Sequence, residues 1–398
     1  MEIEYFNGEK IKISKKRDIE NKNVSESVIN EKYSKGEIRI VTEQARYQLT
    51  SIPEMVNSPD YILNPEFQRR HRWNNEQKSR LIESFIINIP IPPIFLYEKD
   101  YSTYEVMDGL QRLSAISDFY KDKFKLCGLE FWVELNGKKY SELPSLVKKG
   151  IDRRFISAVI LLKETAKNEE EAKMLKQIVF ERINSGGTKL EYQESRNAFY
   201  SGKFSDLCKR LSRDRYFCLL FNIPQPSEEE LANGEPDDEL QKNDMFKKMK
   251  DVETIVRFFA MRYVDSFDMN LKIFLDRFTE QANKLPDNVI KNYDVLFRTS
   301  IKFTYDLLGE YPFGVWKLKQ GEWEFQKNPN MFIYDPIMCV LSQYVENRDG
   351  LLKRKDEIRN GLERLIKDND IFRDGRKGSK SDVKDRIDKF NAFIQKYL

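Results

Sequence analysis

The chain has 398 residues, enough for two domains or for one with a large appendage. Its 68 Lys and Arg nearly cancel 65 Asp and Glu, so bulk charge gives no case for a nucleic-acid partner, and only local basic patches could. With His71 the single histidine, two-histidine metal sites and a histidine-based nuclease centre are excluded.

No run reaches the roughly 18 apolar residues that a membrane span needs, and MEIEYFNGEKIKISKKRD at the N-terminus lacks the apolar core of a signal peptide. A cytoplasmic protein with no membrane partner is expected. Cys127, Cys208, Cys218 and Cys339 are scattered without CxxC spacing, so buried reduced thiols are expected rather than a zinc site or a disulfide framework.

In chain order, the first part mixes strands and helices. The runs EIRIV (38–42), PIFLYE (93–98), YEVM (104–107), EFWVEL (130–135) and FISAVILLK (155–163) are rich in β-branched and aromatic residues between turn signals, and Asn136-Gly137 predicts a hairpin after the fourth. NEQKSRLIESFIINI (75–89) places Leu81, Ile82, Phe85, Ile86 and Ile89 on one helical face, begun by an Asn cap and ended by Pro90. PIPPIFLY (90–97) is then held extended by its prolines.

From about 168 the pattern is helical. NEEEAKMLKQIVFERIN (168–184) has acids first and bases later, as a helix dipole favours, and EYQESRNAFYSG (191–202) follows with Gly202 as a C-cap. PQPSEEELANGEPDDELQ (224–241), with seven acids and no base, is predicted to be an acidic surface loop. A long helix is expected over 245–263, and Val383, Ile387, Phe390 and Ile394 form one stripe on a final helix over 381–398.

Three clusters carry chemistry. In YEVMDGLQRLSAI (104–116) a strand ends at Asp108-Gly109 and a helix opens at once, so its first N–H groups face outward as an anion site. Gln111 and Arg112 add side-chain donors in the first turn, while Asp108 can bind Mg²⁺ or hold Arg112. FQRRHRW (67–73) interleaves bases with aromatics, which suits phosphates and base stacking, though taken alone a strand end with a buried Trp73 and solvated arginines is the favoured reading. FERINSGGTKL (180–190) ends a helix in a glycine turn that can expose backbone donors.

Read together, QRRHRW (68–73), PIPPI (90–94), DGLQRL (108–113), FERINSGGTKL (180–190) and ESRNA (194–198) resemble the ParB/sulfiredoxin-like domain at the N-terminus of GmrSD-type restriction enzymes and related phage-defence proteins. The pattern there is Gln-Arg…Trp, a helix, a Pro-Ile-Pro segment, a strand ending in Asp-Gly-Gln-Gln-Arg-Leu, F-x-R-x-N-x-x-G-x-x-L and E-x-R-N-A. The resemblance implies an α+β fold class, with a ParB/sulfiredoxin-like mixed domain over 1–165 and a mainly α-helical domain over 166–398. It implies a nucleoside-triphosphate-binding component of a phage-defence or modified-DNA restriction system, with an NTPase activity, a triphosphate and Mg²⁺ as cofactors, and DNA as partner.

By position in that motif, Asp108, Gln111 and Arg112 would be catalytic, with Asp108 the metal ligand. Gly109, Gln111, Arg112, Gln68, Arg69, Trp73, Arg182 and Asn184 would hold the nucleotide, and Arg69, Arg70 and Arg72 would contact DNA phosphates. Two departures qualify this. Leu110 stands where the family has its first glutamine, which removes a water-positioning group and makes binding the firmer expectation over hydrolysis; it also leaves no thiolate for sulfiredoxin chemistry. With one histidine, HNH cleavage in this chain is not expected, so a separate nuclease subunit cuts or the protein senses. The alternative is a non-enzymatic ParB-like DNA-binding or regulatory module; a homodimer is compatible with either.

Overall fold

The computed structural model describes residues 5–13, 25–34, 40–63, 73–166, 168–184, 193, 196–197, 200–233, 236–267, 270–373 and 378–398. It divides into two compact units, Asp18–Leu190 and Met1–Arg17 with Glu191–Leu398. The fold class is α+β, with a small mixed sheet in the first unit and a helical remainder, as the sequence implies.

The sheet of the first unit contains β1 (Thr42–Gln48), β2 (Tyr61–Ile62), β3 (Ile94–Asp100), β4 (Thr103–Asp108) and β5 (Phe155–Leu161) in the order β1-β5-β3-β4-β2. The β3–β4 pair is an antiparallel hairpin, whereas β3 and β5 run parallel, as do β2 and β4. Ile94, Leu96, Val106, Ile156, Ala158 and Ile160 leave the sheet to pack with Leu81, Ile82 and Phe85 of helix Asn75–Ile87 and with Leu113, Ile116 and Phe119 of helix Leu110–Tyr120. Helix Asn75–Ile87 starts with a reciprocal Asn74–Gln77 capping box and ends at Asn88 in the left-handed conformation, two residues before Pro90.

Helix Glu169–Asn184 lies within the first compact unit, where Lys176 Nζ meets Glu105 Oε2 of β4 at 2.6 Å, both side chains largely buried.

Three local expectations are corrected. Residues 130–135 do not form a strand; they form a loop ending in a 3₁₀ turn at Val133–Leu135. The buried Glu83 carboxylate accepts the N–H groups of Glu130, Phe131 and Trp132 at 3.2, 2.8 and 2.9 Å, which removes the donors that a ladder would use. The acidic stretch 224–241 contains helices Glu228–Asn233 and Asp238–Lys242, the second N-capped by Asp237, and Arg213 holds Glu230 with bonds of 2.6 and 2.7 Å. Gly202 precedes helix Lys203–Leu211 as its N-cap instead of closing the helix before it.

The helical unit is packed with aromatic side chains. Phe259 stacks on Tyr293 at 4.4 Å, and Phe204, Phe258, Phe278 and Phe297 surround them. Residues 5–13 cross this core, where buried Glu9 accepts hydrogen bonds from the hydroxyls of Tyr263 and Tyr293. The final helix Lys380–Ile394 buries Val383, Ile387, Phe390 and Ile394, the stripe read from the sequence. Cys208, Cys218 and Cys339 are buried; burial pushes the latter two thiols up to about 12. No helix among the described residues is long and apolar enough to cross a membrane.

Arg257 of helix Lys250–Met261 forks onto Asp335 of helix Met331–Leu341, with Nε 2.6 Å from Oδ1 and the second nitrogen on Oδ2; Asp335 is wholly buried. Removing one member of a buried pair strands the other charge, so Asp335→Ala should cost about 3–5 kcal/mol in equilibrium urea unfolding; a loss below about 1 kcal/mol would show that the pair is dispensable.

Candidate anion-binding site

β4 delivers Asp108 to the edge of the first unit's core, and Gly109 turns the chain into helix Leu110–Tyr120. Gly109 has φ 99° and a Cβ on it would overlap the Ile94 side chain, so both backbone and space demand glycine. No side chain caps this helix start. Its ladder begins with Leu113 N–H donating to the Gly109 carbonyl at 3.0 Å.

Arg112 is the centre of the arrangement. Its Nη2 donates to Asp108 Oδ2 at 2.5 Å, and its Nη1 donates to the carbonyls of Pro92 and Pro93, the latter at 3.2 Å. Prolines in an extended run have no N–H to offer but leave carbonyls in need of donors, and the guanidinium fork supplies them. Thus PIPPI (90–94) and DGLQR (108–112), separate in sequence, meet through one side chain. The Arg112 side chain is only 12% exposed against 34% for Asp108, and burial pushes its guanidinium pKa down, opposed by the charge and hydrogen bond of Asp108. The group remains a cation, because its ordinary value is far above neutrality.

Gln111 Oε1 accepts from the Trp73 N–H at 3.2 Å, which joins the end of the QRRHRW run to the same helix turn. Trp73 packs on the first unit's core. Gln68, Arg69, Arg70 and Arg72 lie outside the described residues, as do 185–190 of the FERINSGGTKL run. Arg182 is exposed in the last turn of helix Glu169–Asn184, whose final residue is Asn184. The structure therefore brings together Asp108, Gly109, Gln111, Arg112 and Trp73.

Leu110 is 8% exposed and packs within the sheet–helix core, so position 110 points inward and not toward the space before the helix. In this chain the leucine at position 110 fills core space between sheet and helix.

Among the described residues no group of three or more His, Cys, Asp or Glu is placed to hold a metal ion. Asp108 already faces Arg112 through one oxygen, so a Mg²⁺ here would draw its other ligands from phosphate and water.

Arg196 and Asn197 of ESRNA (194–198) belong to the other unit. Arg196 is fully buried; Nε donates to Asp276 Oδ1 at 2.7 Å, and Nη1 reaches Glu253 Oε2 at 3.3 Å as well as Gln193 Oε1. Asn197 accepts from Gln193 Nε2 at 2.9 Å. Nothing in the spacing of the motif announced this helix-to-helix polar knot.

Residues 52–201 match the model of the GmrSD restriction endonuclease N-terminal domain. This part of the chain is therefore similar to the GmrSD N-terminal family. The match starts in helix Ile52–Asn57 and takes in Asp108–Arg112 and Arg196. Neither the curated proteins nor the solved structures yield a match to the chain.

Because position 110 lies in the core, Leu110→Gln should bury an amide without partners and destabilise the first unit by about 1–3 kcal/mol. Thermal and urea unfolding check this; unchanged stability together with a gain of triphosphate hydrolysis would place position 110 in the site after all.

Proposed function

We propose that the chain is a component of a restriction or phage-defence system acting on DNA, and that the turn Asp108–Arg112 of its GmrSD-like N-terminal region binds the phosphates of a nucleoside triphosphate. The family match supports the first part. The observation that carries the second is the uncapped start of helix Leu110–Tyr120, reached through a left-handed glycine, with a largely buried guanidinium beside it.

Helix N-termini attract anions through unpaired N–H groups and the macrodipole. Arg112 reinforces that field as a charge close behind the turn, while its own donors orient Asp108 and the Pro92 and Pro93 carbonyls. Asp108, more exposed, then faces the same space and can share a phosphate-borne Mg²⁺. Gln111 fixes Trp73 against this turn, and the basic run at 68–72 precedes it in sequence. In this reading the triphosphate state of the turn controls an encounter with DNA; hydrolysis would need a water held by Asp108 or Gln111.

Titration of the full chain with ATP, GTP, CTP and UTP, with and without Mg²⁺, tests the assignment. At least one triphosphate should bind, and Arg112→Lys, which keeps the charge but loses the planar fork, should weaken it about tenfold while circular dichroism shows a folded chain. Binding of no triphosphate, or wild-type affinity in folded Arg112→Lys and Arg112→Ala, would remove the site. DNA binding indifferent to every nucleotide would favour a non-enzymatic DNA-binding module.

A further inference from the structure

A groove of about 590 Å³ opens in the first unit, lined by Lys123, Lys125, Lys139, Asn75, Asn136 and the loop glycines, with no carboxylate in its lining. Lys123 is 60% exposed and shares Asp118 with Lys78, Lys139 acts through space on Asp122, and Lys125 has no ion pair among the described residues. Gly128 and Asn136 of the groove bracket a loop, and Asn136 Oδ1 closes its base by accepting the Leu129 N–H at 3.1 Å.

That loop exposes what a soluble surface normally hides. Phe131 is 72% exposed, Trp132 39% and Val133 54%. The loop is nonetheless fixed from beneath: Glu83, 5% exposed, takes three successive N–H groups of residues 130–132, and Gly137 N–H bonds to the Leu126 carbonyl at 2.7 Å. A buried carboxylate spent on holding an aromatic loop outward points to a surface that meets something flat. Of the loop's acids, Glu130 lies 3.9 Å from Arg80, leaving Glu134.

We propose that this groove and loop form a nucleic-acid binding site, in which Lys123, Lys125 and Lys139 neutralise phosphates while Phe131 and Trp132 stack an unpaired base. Positive groove plus exposed rings is the chemistry of single-strand binding: the cations track the backbone and the ring faces accept any base. Duplex DNA offers phosphates to the lysines but no free base face to the rings, so a single strand, or a strand opened out of a duplex, is the ligand. The assignment rests on the reading of DNA as partner, and it adds a site separate in sequence from the 68–72 arginines and from the phosphate turn at 108–112.

Fluorescence anisotropy with a labelled single-stranded oligonucleotide and the matching duplex, on the full chain, tests this. The single strand should bind more tightly than the duplex. Lys125→Glu with Lys139→Glu should weaken it at least tenfold and lower the salt slope by about 1.4, at about 0.7 per lost phosphate contact. Phe131→Ala with Trp132→Ala should weaken the single strand at least tenfold and leave the duplex unchanged. Lys125, Phe131 and Trp132 are exposed and Lys139 is partly so, and thermal melts confirm the fold.

Wild-type single-strand affinity in either double variant overturns the proposal, as does equal binding of poly-glutamate through the same lysines. Loss of DNA binding only on changing Arg69, Arg70 and Arg72 overturns it while leaving DNA as partner. Triphosphate titration of the same variants keeps the readings apart: failure of nucleotide binding with intact groove-dependent DNA binding refutes the phosphate turn alone.

Discussion

The guanidinium of Arg112 is the constraint on which the first unit's candidate site depends. One side chain joins three elements: it neutralises Asp108 at the end of β4, satisfies the Pro92 and Pro93 carbonyls that enter β3, and sits in the first turn of helix Leu110–Tyr120. A half-buried carboxylate and proline carbonyls without neighbouring N–H groups are each costly alone, and the fork offsets them together. Gly109 makes this geometry reachable, because only a residue without a Cβ can turn beside Ile94 with that φ. Site and scaffold are thus the same atoms, and any ligand before the helix meets a turn already set in shape and charge.

A parallel arrangement recurs in the helical unit. Arg196 is buried between Gln193, Glu253 and Asp276, and Arg257 is forked onto Asp335. Both use the planar donors of arginine to join helices through charge where the surroundings are otherwise aromatic, and Glu9 does so with an acceptor from residues 5–13. In such a core a lost partner leaves a charge or an acceptor unpaired, which makes these contacts specific to one packing.

Much of this was legible in the residues, and the failures have physical causes. Strands β3, β4 and β5 show in runs of β-branched and aromatic residues because they are central and buried. β1, TEQARYQ, is an edge strand whose side chains are largely solvent-facing, so it carries no apolar signal. Residues 130–135 have strand-like side chains, but their N–H groups go to Glu83, 47 to 49 positions earlier, a tertiary bond that no local pattern displays. The helices within 224–241 depend on the Asp237 cap and on Arg213 reaching Glu230. The turn at 108–112 was readable as strand, glycine and helix start, whereas the direction of Leu110 and the grip of Arg112 on Pro92 and Pro93 follow from the three-dimensional path alone.

A double-mutant cycle on Asp108 and Arg112 tests the central constraint most directly. Unfolding free energies of Asp108→Asn, Arg112→Met and the double variant should show a coupling of about 1–3 kcal/mol, the double variant losing less than the sum of the singles. Additive losses would mean that Asp108 and Arg112 act independently and that the turn is held by something other than this pair.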